Sequence, residues 1–154
     1  MKHRILVVED NQLNRELLCD WLETEGYEAR CAEDLKTAFA AVQSHQPHAV
    51  LLDIQLGAED GVALTAWMRQ QPTLRGIPVI AVTAHAMTTE RERILQAGCN
   101  ACVSKPIDFK VLQDQLRRWL AVAADWHRDP QRRAETSDEP IDCTTGSEGD
   151  KRAK

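Results

Sequence analysis

Short apolar runs and amphipathic stretches take turns along this chain. Ile5-Leu6-Val7-Val8 is an unbroken apolar run that stops at Glu9 and Asp10, and Ala49-Val50-Leu51-Leu52 stops in the same way at Asp53. Ile77 to Val82 is a third such run. Runs of this length without alternation suit strands buried on both faces. Tyr27 to Cys31 and Ala101 to Ser104 read as two shorter strands.

Helical signals fill the intervals. Asn11 is a good cap for a helix with Leu13, Leu17, Trp21 and Leu22 at helical spacing, closed by Gly26. Asp34 caps a second helix bearing Leu35, Ala38, Phe39 and Val42, which Pro47 precludes from continuing. Gly57 and Gly61 bound a loop before a helix from Val62 to about Gln70 that presents Leu64, Trp67 and Met68. Thr89 and Glu92 have capping-box spacing for a fourth helix ended by Gly98. Asp108 caps a fifth, with Phe109, Leu112, Leu116, Trp119 and Ala123 along one stripe. Five strands alternating with five helices predict an α/β fold, a doubly wound five-stranded parallel sheet covered on both faces.

The chain of 154 residues divides into one domain over 1–124 and a charged tail over 125–154. That tail is too poor in apolar residues to offset its ordering entropy, so disorder is expected there. A net charge of −5 without a Lys/Arg-rich block argues against direct nucleic-acid binding. No run is long enough to span a membrane, and the first apolar run is too short for a signal-peptide core, which predicts a cytoplasmic protein. Five cysteines, odd in number and without framework spacing, fit reduced thiols there. Cys99 and Cys102 form a C-x-x-C pair but lack the two further ligands that zinc requires, so they read as buried thiols.

Parallel strands share a carboxyl edge, and that edge is where open α/β sheets bind ligands. Glu9, Asp10 and Asp53 therefore meet in one pocket, joined by Thr83 and Lys105 from two further strand ends. Crowded carboxylates call for a cation, and an all-oxygen site suits Mg²⁺. Such a set fits phosphoryl transfer to a carboxylate: Asp53 as nucleophile, a metal at Glu9 and Asp10, and Thr83 and Lys105 on the phosphoryl oxygens. Singly, each residue is as easily a solvated strand end or a turn residue. Jointly, solvated residues have no reason to fall at four strand ends on one edge. His85 either borders this pocket or is a plain surface histidine, while Met87, Trp21, Trp67 and Trp119 read as packing. No glycine-rich phosphate loop supports nucleotide binding.

Val7-Val8-Glu9-Asp10-Asn11, Leu52-Asp53-Ile54-Gln55-Leu56 with Asp60-Gly61, Val82-Thr83-Ala84 and Ser104-Lys105-Pro106 together resemble the response-regulator receiver domain of two-component signalling, from the amino terminus to about Ala123. The segment Thr83 to Met87 and Gly98-Cys99 resemble single-domain receivers of the DivK cell-cycle type. The resemblance implies a flavodoxin-like strand order 2-1-3-4-5. It implies Mg²⁺ bound by Asp10, Asp53 and the backbone carbonyl of Gln55 with Glu9 assisting, and a cis Lys105–Pro106 bond that helps aim Lys105. It also implies phosphorylation of Asp53 by a histidine kinase or a histidine phosphotransfer protein, with a downstream protein as target. Two positions depart from the family pattern. Gly57 replaces a usual proline and is expected to loosen its loop, and Cys102 stands where most members carry an aromatic switch residue. A phosphorylation-independent interaction module with the same fold is the alternative function. An autonomous aspartate-nucleophile hydrolase lacks its second acid, because Gln55 stands there.

Overall fold

In a computed structural model, which describes residues 2–85 and 87–128 with side chains through Ala124, the apolar runs form β1 (Arg4–Val8), β2 (Glu28–Ala32), β3 (Ala49–Asp53), β4 (Val79–Thr83) and β5 (Ala101–Ser104). All pair in parallel, in the order β2-β1-β3-β4-β5. The helices are α1 (Gln12–Thr24), α2 (Leu35–His45), α3 (Val62–Met68), α4 (Thr88–Gln96) and α5 (Phe109–Arg128). This is the doubly wound sheet that the alternating pattern predicts.

The two-residue period of the strands sorts their side chains into two cores. Leu6, Val8, Val50 and Leu52 pack with Ala38, Val42, Leu64, Met68 and Ile94 of α2, α3 and α4. On the opposite face, Ile5, Val7, Leu51 and Ile80 pack with Leu18 and Leu22 of α1 and Leu112, Leu116 and Trp119 of α5. β3 is buried at every residue, so its last one, Asp53, is fixed from both sides. Among the described residues, no helix is long and apolar enough to cross a membrane.

Several boundaries and faces differ from the sequence reading. In α1 the inward stripe is Leu18 and Leu22, whereas Leu13 and Leu17 are 76% and 55% exposed; Leu17 lies about 100° around the cylinder from Leu18. β4 begins at Val79 rather than Ile77 because Pro78 has no N–H for the ladder, although its carbonyl accepts from Val50 N at 2.9 Å. β2 is shifted by one residue, and α3 ends at Met68 rather than Gln70. The capping box of α2 is present, closed by Thr37 on Asp34. The one expected for α4 is not: Thr89 lies inside that helix, and its N-cap is Met87 without a side-chain bond.

Cys19 of α1 and Cys31 of β2 are disulfide-bonded, contrary to the expectation of reduced thiols. The turn after α1 folds β2 back beneath the helix, a juxtaposition that linear cysteine spacing does not reveal. Cys99 and Cys102 remain thiols, the first with its Sγ 3.4 Å from Thr65 Oγ1. Cys143 lies outside the described residues. The α5 backbone continues to Arg128, four residues past the boundary expected at 124. The rest of the tail, 129–154, also lies outside the described residues.

Burial predicts the cost of truncation on each face. Leu116→Ala, at a fully buried position, should lower stability by about 3 kcal/mol through lost transfer energy and a residual cavity. Leu17→Ala should change it by less than about 0.5 kcal/mol. Chemical denaturation of the two variants reads both effects.

Candidate functional site

Register brings the polar strand ends together. Val8 pairs with Leu52 across β1 and β3, so Glu9 and Asp53, each the next residue, leave the sheet side by side. Asp53 is level with Val82 on β4, and Thr83 with Ser104 on β5, which delivers Thr83 and Lys105 to the same edge. Oxygens of Glu9, Asp10 and Asp53 lie within 4.8 Å of one another, a spacing that could hold a metal ion. Glu9 and Asp53 are buried, at 2% and 5% exposure, while Asp10 faces solvent.

Among the described residues, one cation side chain forms ion pairs within this cluster. Lys105 Nζ lies 3.0 Å from Asp53 Oδ2 and 3.5 Å from Glu9 Oε1. The Lys105–Pro106 peptide bond is cis, as the family resemblance implies. Burial alone would lower the Lys105 pKa, but the hydrogen bond and charge of Asp53, with those of Glu9, outweigh it and hold the ammonium above its ordinary value. Backbone amides orient the acids: Gln55 N donates to Asp53 Oδ1 at 3.0 Å, and Asn11 N donates to Glu9 Oε2 at 3.1 Å. One ammonium among three carboxylates leaves an excess of negative charge. Burial first, then the neighbouring Asp53 carboxylate, push the Glu9 pKa up to about 7, against the opposing pull of Asn11 N–H and Lys105.

Thr83 is buried, and its Oγ1 accepts from His85 N at 3.0 Å. The hydroxyl thus ties the start of the β4–α4 loop to the end of β4. With Gln55, Gly57, Glu90 and Arg93, His85 lines an open cavity of about 380 Å³ beside the site, a cavity to which Glu9, Asp10, Asp53, Thr83 and Lys105 contribute no wall.

Sequence reasoning missed the element just beyond Asp53. The expected loop is a small antiparallel hairpin, Gln55–Leu56 against Glu59–Asp60. Gly57 turns it with φ +61°, a left-handed value that proline cannot adopt. The glycine expected to loosen this segment instead closes a tight turn. Gly61 ends the hairpin against β3: a Cβ there would lie 2.4 Å from the Asp53 carbonyl oxygen. Two arginines also went unread. Arg93 of α4 pairs with Asp60 at 2.7 Å, and Arg15 of α1 donates to the Glu9 carbonyl at 2.9 Å. Long side chains reaching across elements leave no local pattern by which to find them.

The response regulator receiver domain family is matched over residues 5–117. The polar-differentiation response regulator DivK of Brucella anthropi is 40% identical over 123 residues, covering 80% of this chain and all of the relative. A solved response regulator from Chloroflexus aurantiacus superposes with a TM-score of 0.75 at 28% identity, covering 79% of this chain and 99% of that one. A receiver domain of a sensor histidine kinase from Pseudomonas aeruginosa, with a magnesium ion coordinated in its active-site cleft, gives 0.72 at 35% identity, with coverage of 79% and 99%.

Glu9 makes the site pH-sensitive. Its folded pKa, about 7, lies above the ordinary 4.5, so the folded protein holds a proton that the unfolded chain releases. Without divalent metal, stability should therefore fall as pH rises from about 4.5 to about 7. Added Mg²⁺ should flatten that slope, because a cation favours the ionised carboxylate. Thermal midpoints across this range, with chelator and with Mg²⁺, check both signs.

Proposed function

The chain belongs to the response regulator receiver domain family, and we propose that it accepts a phosphoryl group from a phosphohistidine onto Asp53 and signals through protein contacts. The observation that carries this reading is a buried Asp53 carboxylate paired with Lys105 at 3.0 Å inside an acid-rich cluster. The donors are a histidine kinase or a histidine phosphotransfer protein, the receiver of the signal is another protein, and the setting is the cytoplasm.

The donor set fits Mg²⁺: hard oxygen ligands, closely spaced, three carboxylates against the one Lys105 ammonium. Asp10, Asp53 and the backbone carbonyl of Gln55 would hold the ion with Glu9 assisting, and the ion would supply charge neutralisation for the incoming phosphoryl group. The remaining work belongs to the chain. An oxygen of Asp53 forms the new P–O bond as the P–N bond of the donor breaks, the imidazole leaving with that electron pair. No base is required, since an aspartate carboxylate is anionic at neutral pH. The Lys105 ammonium, already on Asp53 Oδ2, follows the charge as it moves onto the phosphoryl oxygens. Thr83 donates its hydroxyl to the same oxygens.

That last step gives the output. When the Thr83 hydroxyl turns toward the phosphoryl group, the acceptor of His85 N is withdrawn. The loop from Ala84 to Thr88 then loses its tie to β4. Cys102 is half-buried and has no ring to fill or vacate a cavity behind Thr83, so the change centres on this loop rather than on the β5 side chain.

Acetyl phosphate with Mg²⁺ should add one phosphoryl mass to the intact protein, and Asp53→Asn should abolish the gain. A variant modified as fully as wild type would overturn the assignment, and an unmodified wild type would favour the phosphorylation-independent module. Beryllofluoride, a phosphate mimic, should raise amide exchange chiefly over residues 85–89. Unchanged exchange there with Asp53 occupied would sink the threonine-loop coupling.

A further inference from the structure

Arg15 is the one cation in the first turn of α1, a turn that holds no acid. Positive charge at a helix N-terminus works against the helix dipole, so its presence there asks for a compensating contact. The contact is specific. Arg15 Nη1 donates to the carbonyl oxygens of Glu9 at 2.9 Å and of Asp10 at 3.4 Å. Those two carbonyls belong to the residues whose carboxylates face the metal position, and both lie past the last register pair of β1, Val8 with Leu52. Helical side chains lean toward the N-terminus, and Arg15 N bonds to Asn11 O in the opening turn. The guanidinium is thereby aimed back across the β1–α1 connection.

We infer that Arg15 is a positioning residue for the divalent-cation site, acting through the main chain of Glu9 and Asp10 rather than on the ion. The inference rests on the reading that Glu9, Asp10 and Asp53 hold Mg²⁺. By holding two successive carbonyls from its one Nη1 nitrogen, Arg15 fixes the backbone turn that sets where the exposed Asp10 carboxylate stands relative to buried Glu9 and Asp53. Asn11 completes the brace, its N–H holding Glu9 Oε2 at 3.1 Å and its side chain accepting from Asn14 N at 3.0 Å. Asp10, unlike Glu9 and Asp53, has no burial to hold it, and so depends on its backbone.

The sign of the effect separates positioning from simple charge. A nearby positive charge repels Mg²⁺, so if charge were all, Arg15→Gln would bind Mg²⁺ more tightly and Arg15→Lys would match wild type. Positioning predicts the reverse: both variants weaken Mg²⁺ binding by about tenfold, as loss of an outer support typically does, because the Gln and Lys side chains both end short of the Nη1 position from which Arg15 reaches the two carbonyls. Calorimetric titration with Mg²⁺ reads the affinity directly, and saturating Mg²⁺ should restore phosphorylation from acetyl phosphate to near the wild-type rate. The metal-free thermal midpoint should stay close to that of wild type, and if Arg15→Gln does not fold, Arg15→Lys carries the test. Unchanged or tighter Mg²⁺ binding in the variants, with wild type binding normally, overturns the role of Arg15 alone. Failure of wild type itself to bind Mg²⁺ overturns the metal reading and this inference with it.

Discussion

The repulsion among three carboxylates at one edge of the sheet is the constraint around which the rest is arranged. Glu9, Asp10 and Asp53 stand within 4.8 Å of one another, two of them buried, with Lys105 as the counter-charge. Burying like charges side by side is costly unless hydrogen bonds and a cation accompany them. Every neighbouring element contributes something to that end: the amides of Asn11 and Gln55, the ammonium from the end of β5, and the fully buried β3 that keeps Asp53 in place. Burial first, and then the neighbouring Asp53, leave Glu9 with a raised pKa, and one ammonium among three carboxylates is the chemical basis for a divalent cation.

The strands that build this edge were legible in the sequence because their interiors are unbroken apolar runs. The runs at 5–8 and 49–52 admit one reading, and each ends at its acid, so the meeting of Glu9, Asp10 and Asp53 followed from topology alone. Thr83 and Lys105 followed in the same way from the next two strands. Amphipathic α1 was harder: Leu13 and Leu17 satisfy helical spacing as well as Leu18 and Leu22 do, and only the position of the sheet decides which pair turns inward. Contacts across elements were invisible. Neither the bond between Cys19 and Cys31 nor the reach of Arg15 to Glu9 and Asp10 depends on a short-range pattern.

Gly57 shows how a local rule can mislead. Exchange of a proline for glycine reads as gained freedom, yet the residue occupies a left-handed conformation in a two-residue turn that the hairpin requires. The hairpin then links the site to its surroundings. Gln55 lies opposite Asp60, Asp60 is held by Arg93 of α4, and Gly61 abuts the Asp53 carbonyl so closely that no side chain fits. The Arg93 to Asp60 pair is solvent-exposed and contributes little to stability by itself, but it ties the helix that begins after the Thr83 loop to the strand facing Gln55.

The polar outer strand β2 has a meaning of its own. Its edge is open to any further strand that could pair with it, and an open edge is the usual starting point for uncontrolled sheet growth. Glu28 and Arg30, with side chains 44% and 50% exposed and paired with each other at 3.4 Å, stand on that edge. A strand adding there would crowd and partly dehydrate both charges. The weak hydrophobic signal of β2 is therefore a terminator: it lets a sheet with a wholly apolar centre stop at five strands instead of templating a fibril.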